Sequence, residues 1–273
     1  MKVAAVVNVA SGSVPRTAEE DLRAVLDEAG VDADIAVVEG DGVEDALNAA
    51  IDAGPDALLV WGGDGTAAFA LQLAGPDGPP VLPVPGGTMN LLHKELYGGR
   101  DWKACIADAL AANAPKSIDA GEVAGRRFFI AAFFGRITRI AKSREAVRAA
   151  DFGAALTNFF TSDALSLDPA VLIDDAQTVL AAGAFIGQTP GQLTFARLES
   201  EHPSDIAAAV FETFLFDMRA ADGVTVEDRD SVRISREDGK PVPAILDGEP
   251  MDLDGPVEVR AVPNAARVLS VPS

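Results

Sequence analysis

Along the first 117 residues, apolar positions come in short solid runs separated by amphipathic stretches. Residues 3–9 (VAAVVNV), 34–38 (DIAVV), 57–61 (ALLVW) and 81–84 (VLPV) are such runs. Each predicts a strand covered on both faces, because a strand with one wet face would alternate instead. Between them, Leu22, Val25, Leu26 and Ala29 recur at helical spacing. Thr17 and Glu20 stand where a capping box would open that helix, and Gly30 where it would end. Asp41 is placed to cap a second helix carrying Ala46, Leu47, Ala50 and Ile51, which stops at Gly54-Pro55. A short helix to Ala74 and two more around 90–97 and 102–113 complete the series. The β-α-β-α order predicts a parallel sheet with helices on both faces.

Past Ser117 the rhythm changes to strands with few helices. Residues 127–134, 178–186, 192–196, 224–228 and 231–235 read as strands. Residues 137–161 read as helical, as do 204–218 behind a Ser204 cap. The fold class predicted is an α/β N-terminal domain with a parallel sheet plus a β-rich antiparallel C-terminal domain. The expected division is 1–117, 118–257, and closing strands at 258–273 that finish near or return to the first domain. Periodicity alone does not separate a sandwich from a barrel in the second half.

Composition adds exclusions. With 48% hydrophobic and 23% charged residues in 273, the chain can build a core. Lys plus Arg number 22 and Asp plus Glu 42, a net charge of −20. A nucleic-acid partner is therefore not expected, since phosphate contacts need a basic footprint. Permanent docking on an anionic membrane is disfavoured too. The charge is uneven: residues 16–56 hold 13 acids against Arg16 and Arg23. In contrast, 126–148 holds Arg126, Arg127, Arg136, Arg139, Lys142, Arg144 and Arg148 against Glu145 alone. That stretch reads either as a basic helix face pairing with the acidic domain or as a patch for a phosphate-bearing lipid or membrane surface.

The lone Cys105 forbids an intrachain disulfide, and its apolar helical neighbours predict a buried thiol. His93 and His202 stand alone, without zinc-site spacing. The N-terminal apolar run is too short for a signal peptide, and no run reaches the roughly 18–20 residues of a membrane span. The expectation is a cytoplasmic protein, with any membrane contact peripheral.

Candidate chemistry lies in the turns after the strands. Gly62-Gly63-Asp64-Gly65-Thr66 follows the third strand. Its glycines allow positive φ and close backbone approach, and the helix N-terminus behind it offers N–H groups and a positive dipole to phosphate. Asp64 could hold a hydroxyl or, through water, a metal. The plain alternative is an ordinary tight turn. Asn8-Val9-Ala10-Ser11-Gly12 ends the first strand, and Pro85-Gly86-Gly87-Thr88-Met89-Asn90 ends the fourth. In open α/β sheets ligands bind at such strand ends, so loops converging on one edge predict a nucleotide-phosphate site. There is no GxxxxGK[ST] and no GxGxxG after the first strand, which argues against a P-loop and a dinucleotide fold. Late in the chain, Leu246-Asp247-Gly248-Glu249-Pro250 reads as a hairpin turn or as a base beside a metal ligand.

NxxSG, GGDGT, PGGTxN and DGE, in this order, resemble the diacylglycerol kinase catalytic family, which includes bacterial lipid kinases and sphingosine kinases. Asp119-Ala120-Gly121 followed by RRFFIAAFFG is similar to that family's entry into its second domain. The resemblance implies ATP and Mg²⁺ as cofactors and transfer of the γ-phosphate to a lipid hydroxyl, with transient membrane contact. It implies that Gly62, Gly63, Asp64, Gly65 and Thr66 cradle the ATP phosphates, with Asn8, Ser11, Gly12, Gly86, Gly87, Thr88 and Asn90 nearby. It further implies Glu249 as proton acceptor with Asp247 close behind, and Asp64 and Asp119 in the catalytic network. Metal ligands and oligomeric state stay unassigned. Val9, Phe69 and Leu91-Leu92 depart from the family pattern, which usually has Pro, Glu and Asp-Phe there. Two alternatives remain open: a small-molecule kinase similar to NAD kinases, and a catalytically weak nucleotide- or lipid-binding regulator.

Overall fold

A computed structural model of the chain describes residues 1–88, 90–135, 170–179, 181–187, 189–198 and 224–271. In chain order the elements are β1 (Val3–Asn8), α1 (Ala18–Glu28), β2 (Ala33–Val38), α2 (Val43–Asp52), β3 (Ala57–Gly62), α3 (Asp64–Ala74), β4 (Val81–Pro85), α4 (Leu91–Tyr97), α5 (Trp102–Ala112) and β5 (Ala114–Val123). There follow β6 (Arg126–Phe128), β7 (Ala131–Gly135), β8 (Val171–Ile173), β9 (Gln177–Val179), β10 (Ala181–Ile186) and β11 (Leu193–Leu198). The last are β12 (Val224–Arg229), β13 (Ser231–Ser235), β14 (Val242–Leu246), β15 (Glu249–Leu253) and β16 (Val257–Ser270). The chain divides into two compact units: Met1–Asp119 with Asn264–Ser273, and Ala120–Pro263.

The first unit has parallel strands in the order β2-β1-β3-β4, joined at β4 by the end of β16 through Val268 beside Val81. Burial explains the solid apolar runs. Val3, Ala5, Val7, Leu59, Trp61 and Leu82 share one core with Leu22 and Leu26 of α1 and Ile106 and Ala109 of α5. Strand residues of the other parity, Ala4, Val6, Leu58 and Val60, are equally buried. Helices α2 and α3 pack against β1 and β3. The Tyr97 hydroxyl donates to the Leu269 carbonyl at 3.0 Å and ties the C-terminal strand in. Burial pushes that phenol well above its ordinary range.

The second unit holds a six-stranded antiparallel sheet, β12-β11-β10-β7-β14-β15. A further antiparallel set runs from residues 257–260 of β16 through β13 and β8 to β9. Phe134, Phe195 and Leu246 of the six-stranded sheet share one core with Ile173, Val232, Ile234 and Val259 of the other set. The two sheets thus pack face to face. β5 and β6 form a hairpin in which Gly121 pairs with Phe128. A Cβ on Gly121 would stand 1.9 Å from that ring, so only glycine fits there. The α/β half with a parallel sheet and the β-rich antiparallel half are thus both present.

Several local expectations are corrected. Thr17 makes no capping bond to the backbone of α1; its hydroxyl donates to Asp21 Oδ2 at 2.8 Å. Asp41 lies inside a 3₁₀ turn over Gly40–Gly42, and Gly42 takes the N-cap position of α2. The cap the sequence does deliver is Asp101, whose Oδ1 accepts from Lys103 and Ala104 N–H at 3.1 and 3.2 Å. The run 127–134 is two strands, β6 and β7, and 178–186 is β9 and β10. The helices expected at 137–161 and 204–218, His202, and the bases from Arg136 to Arg148 lie outside the described residues. Of the basic stretch, Arg126 is exposed, and Arg127 pairs with Glu122 at 3.9 Å.

Candidate functional site

Three strand-end loops of the first unit interlock. Asn8 closes β1, and its Nδ2 donates to Thr66 Oγ1 at 3.1 Å while its Oδ1 accepts from Ala10 N at 3.1 Å. The Ser11 hydroxyl accepts from Gly63 N at 3.2 Å. Ser13 reaches the fourth-strand loop, its N donating to Gly86 O at 3.0 Å and its Oγ to Gly87 O at 2.8 Å. Gly86 N donates to Gly62 O at 2.8 Å, and the Trp61 indole donates to Pro85 O at 3.1 Å.

Gly62, Gly86 and Gly87 serve close packing rather than unusual dihedrals. None of Gly12, Gly62, Gly63, Gly65, Gly86 and Gly87 has positive φ, which corrects one reason expected for them. A Cβ on Gly87 would stand 2.8 Å from Gly63 Cα, and one on Gly86 2.4 Å from Val14 Cγ2 and 3.1 Å from Gly62 Cα. A Cβ on Gly62 would stand 2.8 Å from Thr66 Cβ. Gly12 has more room, with Thr88 Oγ1 at 3.8 Å. The residue with positive φ here is Asn90 (52°). Its Oδ1 accepts from Gly87 N at 2.8 Å and its Nδ2 donates to Gly87 O at 3.0 Å, so one side chain closes the loop on itself. Thr88 is exposed at the tip.

This frame presents the start of α3. Its first intrahelical bond is Ala67 N to Gly63 O. The N–H groups of Asp64, Gly65 and Thr66 precede it and have no helical carbonyl to meet, as at any helix N-terminus. Together with the helix dipole they suit a phosphate group. Asp64 has a second task, since its Oδ1 accepts from Leu92 N at 2.9 Å and caps α4. Leu91 and Leu92 open that helix, Leu92 buried and Leu91 half-buried; Phe69 is half-buried in α3. Asp119, in the same unit, accepts from Asn264 N at 2.8 Å. Its carboxylate holds β16 where Asn264 takes positive φ (51°).

Asp247 and Glu249 belong to the second unit. Asp247 accepts three backbone N–H bonds: Phe129 to Oδ2 at 2.7 Å, and Ile130 and Ala131 to Oδ1 at 2.9 and 3.0 Å. These bonds lie where the 127–134 run breaks. The side chain of Glu249, the first residue of β15, is exposed and makes no hydrogen bond or ion pair with the described residues. The Asp101 cap, the Ser13 link and the Asn90 closure were absent from the sequence-derived account. Asp101 two residues before Lys103 was a readable cap signal, whereas Ser13 has no signal before its loop partner is known.

Two conspicuous residue types have structural roles. His93 is buried, its ring nitrogens 3.0 and 3.1 Å from the carbonyl oxygens of Pro83 and Arg100. Cys105 is buried, and desolvation pushes its thiol up to about 11. Among the described residues no group of three or more His, Cys, Asp or Glu side chains could hold a metal ion. No helix among them is long and apolar enough to cross a membrane.

Residues 2–123 match the diacylglycerol kinase catalytic domain, which bears out the resemblance carried by the three loops. Two Bacillus anthracis crystal structures share the fold over nearly the whole chain. One, assigned as a diacylglycerol kinase, is 19% identical with a TM-score of 0.73, covering 99% of this chain and 95% of that one. The other, called a diacylglycerol kinase, is 16% identical with a TM-score of 0.68, covering 99% and 97%.

Proposed function

From a first unit that matches the diacylglycerol kinase catalytic domain over residues 2–123, we propose that the protein is an ATP-dependent kinase whose acceptor is a lipid hydroxyl. The observation that carries this reading is the interlock of the Asn8–Ser13, Gly62–Thr66 and Gly86–Asn90 loops around the N-terminus of α3. Bound ATP would supply the phosphoryl group that is transferred.

The backbone N–H groups of Asp64, Gly65 and Thr66 are the proposed phosphate seat. Ser11 and Asn8 hold that seat in shape by bonding Gly63 and Thr66. Ser13 and Asn90 hold the Gly86-Gly87 loop against it. Preorganised donors of this kind act because they need not move as charge develops. Glu249 is the proposed proton acceptor. It would take the proton of the acceptor hydroxyl as that oxygen bonds to phosphorus and the bond to the ADP oxygen breaks. Contact with a membrane would be transient, as for an enzyme that fetches its acceptor from a bilayer.

Incubation with γ-labelled ATP, Mg²⁺, a panel of lipids and NAD tests this. Label in the organic phase supports the lipid acceptor. Label in NADP supports the small-molecule-kinase alternative, and no label in any lipid overturns the proposal. Tight ATP binding without turnover would favour the regulator reading, which the apolar Phe69 and Leu91 motivate.

A further inference from the structure

The turn between β14 and β15 consists of Asp247 and Gly248, both with positive φ (45° and 89°). This is the tight hairpin geometry whose twist matches its strands, and Leu246 pairs with Glu249 across it. A residue with a Cβ takes that conformation at a cost, which Asp tolerates best when its side chain bonds locally. Here the carboxylate bonds further away, to the N–H groups of Phe129, Ile130 and Ala131. Asp247 N also donates to Ala131 O at 2.9 Å. Four hydrogen bonds thus join the turn to the corner between β6 and β7.

Successive N–H groups aimed at one point form a concavity for an anion. In this molecule the anion is the chain's own Asp247. Both carboxylate oxygens are engaged. Glu249, two residues on, carries no such ties to the described residues.

We propose that Asp247 is the positioning residue for Glu249. Its carboxylate pins the β14–β15 turn to residues 129–131 and so fixes where the Glu249 side chain starts, while proton transfer falls to Glu249 alone. The clamp rests on geometry; the role of what it positions rests on the kinase reading.

Three full-length variants test it. Asp247→Asn keeps an oxygen for Ile130 and Ala131 and tolerates positive φ. Asp247→Ala loses all three bonds, and Glu249→Gln leaves the clamp intact. Hydrogen exchange at the amides of 129–131 should quicken at least tenfold in Asp247→Ala, modestly in Asp247→Asn, and not in Glu249→Gln. Asp247→Asn should keep at least a tenth of kcat with the wild-type pH profile. Asp247→Ala should lose kcat with the KM for ATP unchanged, and Glu249→Gln should lose kcat at least a hundredfold. Unchanged exchange in Asp247→Ala overturns the clamp whatever the activity. Asp247→Asn as inactive as Glu249→Gln, with its amides still protected, overturns the division of roles. If the wild type itself transfers no phosphate, the kinase reading falls and the exchange data alone decide the clamp.

Discussion

Gly63 and Gly87 come so close that a Cβ on Gly87 would stand 2.8 Å from Gly63 Cα. The contact joins two loops 24 residues apart at the end of neighbouring strands β3 and β4. Since Gly87 has no positive φ, its replacement by Ala is a test of space alone. Forcing a methyl into a filled contact costs about 1–3 kcal/mol. Gly87→Ala should therefore weaken ATP binding about tenfold or more, read as quenching of Trp61 or Trp102 emission. Gly12→Ala, whose nearest neighbour is 3.8 Å away, should bind ATP nearly as the wild type does.

Asp64 couples the proposed phosphate seat to the next helix through Leu92 N. Asp64→Asn keeps an oxygen for that N–H and removes the charge. It should unfold within a few tenths of a kcal/mol of the wild type and yet lose turnover. Asp64→Ala should lose turnover and, in addition, about 1 kcal/mol of first-unit stability, the usual cost of a missing cap. Both tryptophans and the only tyrosine lie in that unit, so denaturation followed by tryptophan emission reports it selectively.

Second-unit stability should depend on acid through Asp174. Burial pushes this carboxyl up, but the Arg229 guanidinium bonded to it and the Arg233 N–H at 3.1 Å outweigh that and leave it below its ordinary value. A lowered folded value gives stabilisation that is full above the unfolded value of about 3.9 and is lost as pH falls through the folded one. The stability gap between wild type and Asp174→Asn, measured by far-UV circular dichroism, should be constant from pH 7 to about 5 and shrink below about 4. A gap that is constant down to pH 3 would refute this assignment.

Cys105 should be inert in the folded protein. Its thiol is buried and held at about 11, so the reactive thiolate is scarce at pH 8. A thiol reagent should label it only in denaturant, and rapid labelling of the native chain would contradict the packing described.

The parallel half was legible because burial on both faces writes itself as solid apolar runs; Val3–Val7 and Ala57–Trp61 are examples. The strand-end loops were legible because glycine, Asn and Ser gather there. What the sequence hid was long-range. The 127–134 run reads as one strand, and its break is held by a carboxylate 118 residues away from Phe129. β5 was missed because Ala114-Pro115-Lys116-Ser117 is exposed and carries no apolar pattern. The need for glycine at Gly86 and Gly87 was correctly sensed, but its reason was loop against loop. That appears only when β3 and β4 lie side by side.

The central claim is transfer of phosphate to a lipid hydroxyl with Glu249 as proton acceptor. Its most direct test is the rate of lipid phosphorylation in wild type and Glu249→Gln at saturating ATP. The account predicts labelled lipid from the wild type, a loss of at least a hundredfold in the variant, and equal ATP affinity in both. Equal rates in the two proteins, or no labelled lipid from the wild type, would contradict it.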